Sequence, residues 1–244
     1  MKKSTKVMDS TSHKILFVME GAKEEVVVKS LQENFFVGRT MITCVFGTVI
    51  YALYNEIKQD ASLDVFSILK KRIRDLKDYS RDTFSEIYLF FDYDAHASNA
   101  SPVKLEALLK TFDNETENGK LYISYPMLEA LKHYNNWQDF KDKIAACTAD
   151  YKRIVNKECA QKYIDFKTYN KETWKALIMA HLCKMNYIVL GLYQYPIKYF
   201  SQLLIFEKQK EKYAITQKKV GVLSAIPIFL YEYYGIEKAK TIIL

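Results

Sequence analysis

Ile87-Tyr88-Leu89-Phe90-Phe91-Asp92-Tyr93-Asp94 decides the fold: an apolar and aromatic run ends on two acids spaced i, i+2. Such an unbroken run is the pattern of a parallel strand buried on both faces. Open α/β sheets gather their chemistry beyond the carboxyl ends of strands of this kind. A second run ends the same way, Ile15-Leu16-Phe17-Val18-Met19 leading into Glu20-Gly21-Ala22-Lys23-Glu24. Carboxylates repel one another, so collecting them at one sheet edge makes sense mainly where a cation is held. Hard oxygen donors suit Mg²⁺ or Mn²⁺.

Working outward, residues 24–36 read as a helix with Val26, Val27, Leu31 and Phe35 along one stripe. Met41-Ile42-Thr43-Cys44-Val45-Phe46, closed by Gly47, reads as a strand, and 48–58 as a helix. Residues 65–79 form a basic amphipathic helix, and Pro102 opens another through Leu109. Asn118-Gly119 is a turn before a fourth strand over 120–125. This alternation predicts an α/β fold, a mostly parallel four-stranded sheet flanked by helices. From about Pro126 the alternation stops. Segments 126–134, 137–147, 156–163, 171–184, 188–207 and 220–234 read as helices. The expected organisation is a flexible N-terminus over 1–13, a catalytic α/β domain over 14–134, and an α-helical C-terminal extension over 135–244 packed on it.

The composition, 49% hydrophobic and 27% charged in 244 residues, is that of a soluble globular protein. The apolar stretch 187–206 is interrupted by Gln194, Pro196, Lys198 and Gln202, and 220–230 is short and holds Pro227, so no membrane span is expected. Without a signal-peptide pattern, Cys44, Cys147, Cys159 and Cys183 read as reduced thiols of a cytoplasmic protein. Cys159, His181 and Cys183 match no common zinc spacing. Charge is uneven: residues 1–119 hold 16 Lys+Arg against 18 Asp+Glu, a net of −2, and residues 120–244 hold 20 against 11, a net of +9. The second half also has 14 of the 19 tyrosines. A basic, aromatic-rich half beside an acidic centre suits a polyanion such as nucleic acid, although scattered lysines are also an ordinary solvated face.

At a strand end, Asp92 and Asp94 can point the same way. Gly21 lets Glu20, ending its strand, and Glu24, in the first helical turn, face one point near a helix N-terminus. If the two strands are neighbours, four carboxylates converge in the wiring of a one- or two-metal phosphoryl-transfer site. Asp92, Asp94 and Glu24 are then ligands, and Glu20 binds metal through water or serves as general base/acid. Lys23, His96, Lys218 and Lys219 are the candidate phosphate contacts, with Lys70-Lys71-Arg72-Ile73-Arg74 as a further basic helix. No Gly-x-Ser-x-Gly and no Walker A motif is present.

The Glu-Gly ending one strand and the Asp-x-Asp ending a later one, Glu20-Gly21 and Asp92-Tyr93-Asp94, resemble the Toprim domain of topoisomerases, bacterial primases and the OLD and RloB-like nucleases. Glu-Gly-x-x-Glu, with Glu24, looks closer to the nuclease branch. Ser124-Tyr125-Pro126-Met127-Leu128-Glu129 is similar to that branch's Ser-x-Pro-x-x-Glu segment, which implies Glu129 as a fifth acid. The Asp-x-Asp continues into Ala95-His96 rather than a third Asp. The resemblance covers about residues 14–133. It implies a Toprim-like sheet and a Mg²⁺- or Mn²⁺-dependent nuclease acting on DNA, tRNA or other RNA. With no ATPase motif in the chain, it also implies a separate ATPase partner, as in two-gene anti-phage systems. Apolar C-terminal helices leave room for a homodimer interface. The alternative is a non-catalytic regulatory or interaction subunit of an ATPase complex. A receiver or flavodoxin-like domain also gathers acids at strand ends, but its late-strand lysine and short length are not found here.

Overall fold

The computed structural model describes residues 14–59, 64–93, 95 and 100–243. The expected N-terminal flexibility over 1–13, and the site candidates Asp94 and His96, lie outside the described residues. The first half runs β1 (Lys14–Met19), α1 (Ala22–Phe35), β2 (Met41–Val45), α2 (Ile50–Gln59), α3 (Val65–Arg72), β3 (Phe84–Asp92), α4 (Pro102–Thr111), β4 (Asp113–Asn114) and β5 (Gly119–Ser124). The second half runs α5 (Trp137–Phe140), β6 (Ile144–Ala146), α6 (Tyr151–Glu158), α7 (Lys171–Leu190), α8 (Gln202–Gln209), α9 (Ile215–Gln217), β7 (Lys219–Gly221), α10 (Ala225–Tyr234) and α11 (Ile236–Ile243). Among the described residues, no helix is long and apolar enough to cross a membrane.

The sheet is mostly parallel, in the order β2-β1-β3-β5-β4. The four expected strands pair in parallel, with Met19 opposite Phe90 and Asp92 opposite Ser124. A fifth, two-residue strand, β4, was not expected. After α4 the chain must reverse to enter β5, and the reversal makes a brief antiparallel contact. Gly119 takes the turn at φ +105°, where a Cβ would fall 2.7 Å from Leu89 Cδ1.

One sheet face is closed by α10. Phe229 lies against Phe17 of β1, Tyr88 and Phe90 of β3 and Tyr122 of β5, with ring centroids at 5.4, 4.7, 5.3 and 5.7 Å. Tyr88 and Phe90 share that face because strand side chains alternate. Phe91, on the other face, meets Phe46 at 5.4 Å. Pro227 is tolerated in α10 because it falls in the first turn, where its missing N–H has no intrahelical partner.

The extension is not purely helical, which corrects the expectation for 137–147 and 220–234. The first helix stops at Phe140, and β6 and β7 then form a two-stranded antiparallel ribbon. The physical reason lies in α7. Lys184 is fully buried and donates to the carbonyls of Phe140 (3.1 Å), Lys141 and Lys143 (3.0 Å). Those carbonyls turn toward one ammonium instead of continuing a helix. Burial pulls the Lys184 ammonium down to about 7, while the three acceptors favour the charged form. The expected apolar helix pair over 188–207 is instead the end of α7, closed by Gly191 at φ +79°, followed by a loop and α8.

Replacing Lys184 with Met removes the ammonium from three inward carbonyls, of which those of Phe140 and Lys143 keep the N–H groups of Lys143 (3.2 Å) and Val222 (3.0 Å), and is expected to cost about 1–2 kcal/mol of stability. Urea unfolding of both proteins at pH 6.5 checks this, and an unchanged midpoint contradicts the role given to the ammonium.

Candidate functional site

The carboxylate-bearing ends of β1 and β3 are adjacent, and the backbone ties them. β1 ends one rung short of β3, after the Glu20 N–H bonds to the Phe90 carbonyl. The next donor of β3, the Asp92 N–H, finds the Glu20 side chain, with Oε2 accepting at 3.0 Å. A side chain thus extends the parallel ladder by one rung. Asp92 Oδ1 in turn accepts from the Leu128 N–H at 2.8 Å, which draws in the segment after β5. That segment turns through a cis Tyr125–Pro126 bond into the 3₁₀ turn Leu128–Lys132, which carries Glu129.

Glu20, Glu24, Asp92 and Glu129 all line one cavity of about 500 Å³, together with Gly21, Lys23, Gly47, Thr48, Leu128 and Lys152. Glu24 and Glu129 are buried. Gly21 permits the close approach, since a Cβ there would lie 3.2 Å from Glu24 Oε2. Burial raises the Glu24 carboxyl above its ordinary value; N–H groups at Glu24 and Gly21 and the charge of Lys152 oppose the shift, and the charge of Glu129 adds to it.

The helical extension builds the Glu129 side of the cavity. His181 of α7 is fully buried; its Nδ1 accepts from the Ser224 N–H (3.0 Å) and its Nε2 donates to the Leu131 carbonyl (3.2 Å). Burial depresses this imidazole to about 3, so it is a neutral tie between α10 and the Glu129 turn, not a metal ligand. Ser124 Oγ accepts from the Ala225 N–H (3.2 Å), and Tyr125 and Leu223 exchange backbone hydrogen bonds of 2.8 and 2.9 Å. Ser124 therefore anchors α10 and does not line the cavity.

Of the basic candidates, Lys23 lines the cavity. Lys218 and Lys219 do not. They border a separate space of about 550 Å³ with Tyr93, Cys147 and Lys210. In the basic helix, Lys70 donates to the Tyr79 carbonyl (2.7 Å) and Arg72 pairs with Glu56, so two of its cations serve the fold. The residue that sequence reasoning missed is Lys152, whose Nζ lies 3.7 Å from Glu129 Oε1. The helix expected at 156–163 excluded it; the structure places α6 at Tyr151–Glu158, and the amphipathic spacing of that stretch was the available signal. A further cavity of about 460 Å³ lies at the opposite sheet edge, but there Glu232 holds both Lys120 and the Tyr122 hydroxyl at 2.6 Å. Arg39 and Lys238, on the same space, lie over the rings of Tyr233 and Tyr234 at 5.9 and 5.1 Å.

Among the described residues, no group of three or more His, Cys, Asp or Glu is set to hold a metal ion. The donor chemistry nonetheless fits a hard divalent cation: carboxylates from three separate segments line one space, and two of them are buried with like charge. The chain matches no family model, no curated protein and no solved structure.

A raised folded-state pKa means that the folded protein binds the Glu24 proton more tightly than the unfolded chain does. The stability it contributes is present at low pH and is lost as pH rises through the folded value. Glu24→Gln, neutral throughout, is expected to melt above wild type at pH 8 in EDTA, with the gap closing toward pH 4. Thermal unfolding at both pH values checks this.

Proposed function

We propose that this protein is a metal-dependent nuclease of the Toprim type, hydrolysing phosphodiester bonds in DNA or RNA. The carrying observation is the shared cavity, in which Glu20, Glu24, Asp92 and Glu129 meet at the carboxyl edge of a parallel sheet. The resemblance of Glu20-Gly21-x-x-Glu24 and Asp92-x-Asp94 to Toprim nucleases supports the reaction class. The same resemblance supports a cytoplasmic anti-phage effector governed by a separate ATPase.

Glu24, Asp92 and Glu129, with Asp94, hold Mg²⁺ or Mn²⁺. The bound ion supplies polarisation of the scissile phosphate and a lowered pKa for the attacking water. Glu20, fixed by the Asp92 N–H, keeps its carboxylate at the cavity wall and takes up the water's proton. The Leu128 N–H holds one oxygen of Asp92 and so orients the carboxylate. Lys23 and Lys152 supply positive charge beside an incoming phosphate.

Incubation with DNA, tRNA and total RNA, in Mg²⁺ or Mn²⁺ against EDTA, is expected to give metal-dependent cleavage of one class. Glu20→Ala and Asp92→Ala should each reduce it at least about a hundredfold while leaving the circular dichroism spectrum unchanged. Cleavage that survives both substitutions removes the site assignment. Absence of cleavage by wild type, alone and with its ATPase partner, assigns the chain to a binding role.

A further inference from the structure

Resting on the metal reading above, we infer that Lys152 is an exchangeable counter-ion. Its ammonium neutralises Glu129 while no divalent cation is bound, and turns to an anionic substrate group once one is.

The arrangement has a fixed root and a movable tip. α6 is pinned beside the Glu129 turn. The Tyr151 hydroxyl meets His133 Nδ1 at 2.9 Å, His133 Nε2 meets Glu158 Oε2 at 3.0 Å, and Lys132 Nζ donates to Asn156 Oδ1 at 2.9 Å. These contacts fix where the Lys152 backbone stands. The side chain itself is 50% exposed, whereas that of Glu129 is 6% exposed. At 3.7 Å the pair is held by Coulomb attraction, outside hydrogen-bond range, so little directional bonding is lost when it opens. A lysine ammonium on a four-carbon stem suits such a role better than a bidentate guanidinium.

Neutralisation is needed on one side of the exchange. Glu24 and Glu129 are both buried, and each is close enough for the charge of Glu129 to act on Glu24. Two buried carboxylates without a cation are costly. A divalent ion held at Glu129 repels the ammonium in its turn. Because Lys152 also lines the cavity, the released ammonium stays beside the site and faces an incoming phosphate. Arg153, next on the helix, is an internal comparison: it pairs with Asp150 at 3.4 Å and does not line the cavity.

The test is Mn²⁺ binding to the full-length chain without nucleic acid, read from the electron paramagnetic resonance signal of free Mn²⁺. Lys152→Met is expected to tighten binding about tenfold, the scale of removing one competing charge at contact range in a partly solvated site. Lys152→Arg, whose guanidinium can bond Glu129 bidentately, should bind Mn²⁺ no more tightly than wild type, and Arg153→Met should change affinity less than about twofold. Unchanged or weaker binding by Lys152→Met, or an equal gain in Arg153→Met, overturns the exchange and leaves the metal reading standing. If neither wild type nor Lys152→Met binds Mn²⁺, the metal reading fails and the exchange fails with it.

Discussion

Two backbone N–H groups hold the acidic centre together. The Asp92 N–H reaches Glu20, and the Leu128 N–H reaches Asp92, so each carboxylate has a donor on one oxygen. Hydrogen bonds to the charged form offset the repulsion that otherwise drives carboxylates apart. They also carry positional information. The first bond requires β1 and β3 to be parallel neighbours in one register, and the second requires the chain after β5 to turn back at once. Most of the architecture serves those two requirements.

The helical extension meets the second requirement from a distance. Lys184 gathers the carbonyls that end α5 and begin the β6–β7 ribbon. The ribbon leads to Leu223, which pairs with Tyr125, while His181 joins Ser224 to Leu131 on either side of Glu129. Polar groups this deeply buried are tolerated because each is saturated by backbone partners. Glu129 owes its place to this second half of the chain as much as to the sheet, so the two regions expected as a catalytic domain and an appendage jointly form the cavity wall.

The charge asymmetry takes on a local meaning at the same point. The acidic half supplies Glu20, Glu24 and Asp92 along with Lys23, and the basic half supplies Glu129 together with its partner Lys152. A counter-charge from another segment lets the carboxylates stay buried without a rigid, fully bonded ion pair. Lys218 and Lys219 belong to a different surface, on the side of the β3 end marked by Tyr93.

What the sequence determined by itself was the sheet and the acids at its edge. Buried parallel strands must be continuously apolar, so Ile15–Met19 and Ile87–Phe91 announce themselves, and a carboxylate directly after such a run has few places to go. Those signals are local, carried by consecutive residues. Strand β4 was not legible because its two residues only close a local reversal onto β5, and β6, β7 and the early stop of α5 were not because contacts far along the chain hold them, the ammonium of Lys184 among them. Lys152 was invisible for the same reason. An exposed lysine on an amphipathic helix looks like any solvated charge until tertiary packing sets that helix beside Glu129.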